Sequence, residues 1–587
     1  METNLTQLIH NGIVIPEKPA YQKLNIKIKG QTHILTPKQE EMALAWCKKI
    51  GTPYVEDSVF IRNFLADFCK ELGLGSPLKL DEIDFCNVLR VVEEEREWKA
   101  NLTKEERKAL AAERKAKREE LKEKYGYAIA NGEQIELANY MTEPSGIFMG
   151  RGKHPLRGRW KQGAEQRDVT LNLSPDAPPV PGDWAEIVWQ PDSMWVARWE
   201  DALTNKLKYI WLHDTAPIKQ AREAQKFDKA IELNGILSQV RKGIQESLAD
   251  SHARRRKVAT ACYLIDALCL RVGDEKDPEE ADTVGATTLR PEHIKFHDNG
   301  VTEFRFLGKD SVLWHKKIEM PDTVIENLKE LAENARPAGN GRKTAAGNKP
   351  QLFPDITSRN VNAYLTGIMP GLTAKVFRTH HATNAVKESL DKSKVKKKDP
   401  EYKKWAAAVR ANMEAAILCN HTKQAPKNWA QRKKRYRERE QRAAERIKKI
   451  QQQTKEFKEK LKDLRAESRE KIAAAKNQEQ KSKARERYKK RITKMNERIE
   501  KNKVRLEKAQ HALGKIQVQR ALAMENRSWN LGTSQKSYID PRVYYQWGKK
   551  IDYDVLEKYY SATLRRKFMW VKTQDPETQQ EIKKNQD

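Results

Sequence analysis

Hydrophobic residues alternate with polar ones early in the chain. Leu24, Ile26 and Ile28 share one face, Lys29-Gly30-Gln31 reads as a turn and Ile34-Leu35 as the return, which predicts a hairpin. Thr36, Pro37 and Gln39 then supply a cap, a first-turn proline and a capping-box partner for a helix. Helical patterning resumes over 59–72 and 81–98, and 102–125 reads as a long charged helix with little apolar face. After a Pro-rich loop at 174–182, three strands are expected over 184–189, 194–199 and 207–212. Residues 258–270 are apolar almost all round and predict a buried helix ending at Arg271-Val-Gly273. Phe304 and Phe306, then Val312 and Trp314, predict a hairpin with Lys309 at its tip. A flexible loop is expected at 337–350, and an amphipathic helix at 405–418 that ends on Cys419-Asn420-His421.

Neither proline nor glycine interrupts the chain between Pro426 and Gly514. Apolar residues recur at heptad-like steps from Ile447 to Leu464 and from Tyr488 to Leu513, with a lapse between, which predicts two helices folded into an antiparallel coiled coil. Residues 431–510 hold 31 Lys and Arg against 13 Asp and Glu, an excess of 18 out of a net charge of +31 for the whole chain. So strong a bias suits a polyanion, and nucleic acid is the leading partner. No run of eighteen apolar residues and no signal-peptide pattern is present, so no membrane partner is expected and a soluble intracellular protein is. The six cysteines form no C-x-x-C pair and are expected to pack in cores, so neither a disulfide framework nor a zinc site is predicted.

At 587 residues the chain is too long for one core. The reading is a multidomain α+β protein: a mixed α/β N-terminal lobe at 1–213, a mostly helical segment at 214–427, the basic coiled-coil linker at 428–515 and a C-terminal domain at 516–587.

Chemistry enters at five residues. Arg271 and His421 are expected at helix C-termini, where the macrodipole favours a cation, Lys309 sits on a turn, Arg378 lies in Ala374-Lys-Val-Phe-Arg-Thr-His-His381, and Tyr538 follows the basic helices. Two arginines and a histidinium can hold the non-bridging oxygens of a phosphodiester, a phenol can attack its phosphorus, and a lysine can protonate the leaving oxygen. Such a set calls for no metal and no cofactor. Glycines around Arg151 in Glu143-Pro-Ser-Gly-Ile-Phe-Met-Gly-Arg-Gly-Lys-His-Pro155 let the backbone approach a phosphate closely; their spacing does not fit a dinucleotide loop.

Taken in order, the stretches Leu270-Arg-Val-Gly-Asp-Glu-Lys276 with Ala281-Asp-Thr-Val-Gly285, Phe306-Leu-Gly-Lys-Asp-Ser311, Leu372 to Thr379, Ile417-Leu-Cys-Asn-His421 and Leu531-Gly-Thr-Ser through Tyr538-Ile-Asp-Pro-Arg542 resemble the motifs of eukaryotic-type IB DNA topoisomerases. The resemblance runs from about Gly12 through nearly the whole chain. It implies a monomer whose lobes clamp double-stranded DNA, with Tyr538 as nucleophile and Arg271, Lys309, Arg378 and His421 as its catalytic partners. It also implies DNA contacts from Arg151, Lys208, Tyr209, Lys276, Thr283, Arg290, Asp310, Thr533 and Ser537. The implied reaction cuts one strand through a 3′-phosphotyrosyl link, lets the end rotate and reseals it without ATP, relaxing supercoils of either sign.

Three positions depart from the family pattern: Ser537 where asparagine is usual, His380 where tyrosine is usual, and Met149 where arginine is often found. Because Arg151, Asp310 and Ser537 match the family's drug-contact positions, camptothecin-type inhibitors become possible ligands with weakened trapping. The chain starts almost directly with folded sequence, which favours an archaeal member working on the chromosome in the cytoplasm, with a nuclear protein as the alternative. Two rival readings are a tyrosine recombinase, which usually has histidine where this chain has Lys375, and a non-catalytic nucleic-acid-binding scaffold.

Overall fold

The computed structural model describes residues 4–278, 280–298, 300–337 and 344–575. They divide into two compact units, Met1–Phe377 with Arg566–Asp587, and Arg378–Arg565.

In the first unit the expected hairpin forms from strands Asn25–Ile28 and Gln31–Ile34. Lys29 and Gly30 both take positive φ at its turn, which matches the twist of the flanking strands. Thr36 and Gln39 close a capping box on helix Pro37–Cys47. That helix packs with Ser58–Glu71 and Cys86–Asn101 around stacked Trp46, Phe64 and Phe68. The helix expected over 81–98 is displaced to Cys86–Asn101, because Leu80–Glu82 is a 3-10 turn and Ile83–Asp84 pairs as a strand with Lys27-Ile28. The charged helix Lys104–Tyr125 buries none of its residues, as its composition requires.

A second core lies under a four-stranded sheet in the order Glu186–Val188, Val169–Asn172, Trp195–Glu200, Leu207–Trp211. A further core surrounds helix Ala253–Leu268, which is buried as expected but stops two residues short of the expected end. Cys269 turns into the left-handed region at φ 53° and breaks the helix there. Strands Val301–Gly308 and Val312–Glu319 form the long hairpin. Part of the loop expected at 337–350, residues 338–343, lies outside the described residues, as do 576–587 of the expected C-terminal domain. Five of the six cysteines are buried and Cys86 is exposed, because it opens a helix at the protein surface instead of packing inside.

In the second unit, helix Glu401–Leu418 packs through Ala406 and Val409 against Leu522 of helix Gln478–Glu525. Helices Trp429–Ala473 and Gln478–Glu525 pair as an antiparallel two-helix arm, with Ile450, Leu461, Leu464, Tyr488, Ile499 and Ala509 buried along the seam. Gly514, expected at the end of the arm, sits inside a continuous helix. A side chain there would meet the Tyr402 hydroxyl at 2.6 Å, so the glycine serves close packing against helix Glu401–Leu418.

Candidate active site

The surroundings of Tyr538 lie wholly in the second unit. Helix Leu531–Ser537 ends on Tyr538, and Asp540 caps the next helix, Pro541–Lys550, through the Arg542 N–H. Thr383 fixes this corner: its hydroxyl donates to the Tyr538 carbonyl at 3.2 Å and accepts the Asp540 N–H at 3.1 Å. Tyr538 is only 5% exposed, so its ring orientation is set by packing.

Helix Glu401–Leu418 delivers the histidine. Asn420 is left-handed at φ 54°, its N–H bonds the Ile417 carbonyl at 3.1 Å, and the His421 N–H bonds the Ala416 carbonyl at 2.8 Å. This is a Schellman ending, and it places the imidazole at the negative end of the helix dipole. The expected position at a helix C-terminus holds for His421. For Arg271 it does not, since the helix stops at Leu268 and Arg271 lies in the non-helical chain beyond.

Arg378, on helix Ala374–Lys392, brings the two together. Its Nη2 donates to the Cys419 carbonyl at 3.1 Å and lies 3.4 Å from His421 Nε2. Its guanidinium carbon is 4.9 Å from the centre of the Tyr538 ring, and the His421 and Tyr538 rings are 5.4 Å apart. The side chain is buried, yet its Nε has no hydrogen-bond partner among the described residues. A buried guanidinium N–H without an acceptor is costly, and an anionic oxygen is the group that would satisfy it. His421 Nδ1 is 2.6 Å from the Ser534 hydroxyl. No role for Ser534 or Thr383 was legible beforehand; the only signal was that Ser534 falls inside the Leu-Gly-Thr-Ser motif.

The first unit holds Arg271 and Lys309. Ala286 and Thr287 donate to the carbonyls of Arg271 and Val272 at 2.9 and 2.8 Å, and Val284 donates to Leu307 at 2.8 Å. The Arg271 segment is thereby tied to the hairpin that bears Lys309. This is possible only because Gly273 and Gly285 cross: a side chain on Gly285 would come within 2.5 Å of the Gly273 Cα. Asp310 and Ser311 both take positive φ at the hairpin tip, next to Lys309.

Lys309 lines a cavity of about 680 Å³ with Arg151, Lys208, Lys276, Thr283 and Asp310. Six expected residues thus line one cavity, and Lys161 adds a further cation, held by Asp201 at 2.7 Å. Arg151 donates to Asp310 at 2.6 Å. Two further residues named with these do not line the cavity. Arg290 is buried and paired with Asp282 and Glu292, so its charge braces the loop before Thr283 instead of facing the cavity. Tyr209 alternates with Lys208 on its strand and points to the other face, beside Trp211 at 5.1 Å between ring centres. In the second unit Thr533 and Ser537 lie on the short helix that ends at Tyr538.

Among the described residues no group of three or more His, Cys, Asp or Glu could hold a metal ion, and no helix is long and apolar enough to cross a membrane.

Comparison with known proteins now adds to this geometry. Residues 3–212 match the family described as eukaryotic DNA topoisomerase I, DNA binding fragment; 215–461 match eukaryotic DNA topoisomerase I, catalytic core; and 510–579 match the C-terminal topoisomerase domain. The chain is 32% identical over 579 residues to DNA topoisomerase I, mitochondrial, of Pan troglodytes, covering 96% of this chain and 89% of that one. It is 30% identical to DNA topoisomerase 1 of Homo sapiens, with 96% and 70% covered, and 31% identical to DNA topoisomerase 1 beta of Arabidopsis thaliana, with 97% and 59% covered. The chain thus spans little more than half the length of the plant relative. These relatives are eukaryotic. The chain belongs to the eukaryotic type IB DNA topoisomerase I family and is an enzyme of that type.

Proposed function

We propose that this enzyme relaxes positive and negative supercoils by transient cleavage of one strand, with Tyr538 as nucleophile and without ATP or metal. The observation that supports this most directly is the buried cluster of Arg378, His421 and Tyr538, with the Arg378 Nε lacking an acceptor among the described residues.

The phenol gives up its proton to water and its oxygen attacks the phosphorus, the bond from phosphorus to the 5′ oxygen breaks, and the strand is left joined through its 3′ phosphate to Tyr538. Arg378, His421 and Arg271 stabilise the charge that builds on the non-bridging oxygens, each such donor contributing roughly 10²- to 10³-fold in rate. Lys309 gives a proton to the departing 5′ oxygen, a general-acid contribution of roughly 10²- to 10⁴-fold. After the free end rotates, the 5′ hydroxyl attacks the phosphotyrosine and the same steps run backwards. One phosphoester replaces another in each direction, so resealing requires no added energy.

Arg151, Lys208, Lys276 and Thr283 are assigned to the DNA backbone, with the chain acting as a monomeric clamp on the duplex. Eukaryotic kinship supports the nuclear alternative over an archaeal cytoplasm. With Ser537 before the tyrosine, camptothecin-type inhibitors are expected to trap less cleaved complex than with an asparagine-bearing homologue at equal dose.

The test mixes the protein with supercoiled plasmid in EDTA, stops the reaction with detergent and asks which end of the nick carries protein. Protein on the 3′ end with relaxation proceeding supports the reading. Protein on the 5′ end, failure in chelator, or full activity in Tyr538→Phe overturns it.

A further inference from the structure

We infer that Ser534 is a positioning residue for His421, a role that rests on the reading above. Ser534 is fully buried, His421 is 8% exposed, and the hydroxyl lies 2.6 Å from Nδ1, a short and water-excluded hydrogen bond. The ring's other nitrogen, Nε2, is the one turned toward the Arg378 guanidinium and hence toward the anion that the guanidinium awaits.

The chemistry of a hydroxyl matters here. An arginine N–H can only donate, so beside Arg378 the Nε2 of a neutral imidazole acts as an acceptor and Nδ1 carries the proton. To bind a phosphate oxygen, Nε2 must itself carry a proton. Either the ring becomes doubly protonated, with Nδ1–H still donating to Ser534, or the tautomer changes and Ser534 donates to Nδ1. A hydroxyl serves both states by rotating its hydrogen, whereas a carboxylate would fix one and an alanine would support neither. Ser534 also lies within the short helix that ends on Tyr538, and its carbonyl accepts the Tyr538 N–H at 2.9 Å. One residue thereby couples the placement of the histidine to that of the nucleophile.

The experiment is single-turnover cleavage of a duplex whose cut strand ends a few nucleotides past the scissile bond, followed from pH 5 to 9. Ser534→Ala is expected to lower the cleavage rate about tenfold, to shift the pH profile of the rate, and to leave duplex affinity unchanged. Ser534→Cys, which keeps a weak donor and acceptor, is expected to recover part of the rate. In a His421→Ala background, Ser534→Ala is expected to cost nothing more. A wild-type rate and pH profile in Ser534→Ala overturns the inference, as does an equal loss with and without His421, which would mark a packing role. Tyr538→Phe in the same assay reports separately on the underlying reaction: if it still cleaves, the reading of the whole site fails, whatever Ser534 does.

Discussion

Replacing Arg378 by lysine tests the site at its centre, because the charge is kept and the geometry is not. The guanidinium is held in one geometry: Nη2 donates to the Cys419 carbonyl at 3.1 Å, the guanidinium carbon lies 4.9 Å from the centre of the Tyr538 ring, and Nε has no acceptor among the described residues. An ammonium is a single point of charge and cannot span a carbonyl and a phosphate oxygen together. If it takes the carbonyl, one transition-state donor is lost, worth about 3–4 kcal/mol or roughly 10²- to 10³-fold in rate. If it takes the phosphate, a buried carbonyl at a helix end is left unsatisfied, at about 1–3 kcal/mol of stability. The cation–π contact, about 0.5–2 kcal/mol, is weakened either way. We expect Arg378→Lys to cleave at least 10²-fold more slowly in single turnover, to bind duplex within a few fold of wild type, and to melt a few degrees lower. Assays run well below the variant's Tm separate chemistry from unfolding. A wild-type cleavage rate, or a loss that only tracks the unfolded fraction, would refute this account of the cluster.

Gly285→Ala should lower both Tm and cleavage, because its side chain would meet the Gly273 backbone at 2.5 Å and displace the Arg271 segment, at about 1–3 kcal/mol for overpacking; Gly235→Ala, a helical glycine with open space around it, should be neutral or slightly stabilising. His10 is held neutral, its pKa lowered to about 4 by burial; the Gly12 N–H donates to Nδ1 and Nε2 donates to Asn172. Because the folded value lies below the unfolded one, its contribution, on the order of 3 kcal/mol, is present above about pH 6.5 and lost as pH falls toward 4. Denaturant melts of His10→Gln against wild type should therefore converge at the acidic end of that window; a constant gap would count against it. Deleting about 431–510 should leave cleavage chemistry intact while making DNA release faster and more salt-sensitive, and unchanged processivity across a salt series would contradict this.

What the residues fixed by themselves was local. Thr36-Pro-Lys-Gln39 closes its own capping box, Leu418-Cys-Asn-His421 makes its own Schellman turn, and the heptads of the basic arm pair because no other apolar face is offered along them. Signals of this kind act over one or two turns, so the chain declares them in order. Tyr538, Arg378 and His421 could be singled out in the same way, as residue types at motif positions. Their shared environment could not, because it joins a helix interior and a helix end 43 residues apart to a short helix more than a hundred residues further on. The hydroxyl of Ser534 on His421, 113 residues away, has the same origin. The burial of Arg290 on Asp282 and the crossing of Gly273 with Gly285 join nearer segments, but they run through irregular chain with no period to declare them, and only packing of the finished core selects the partner.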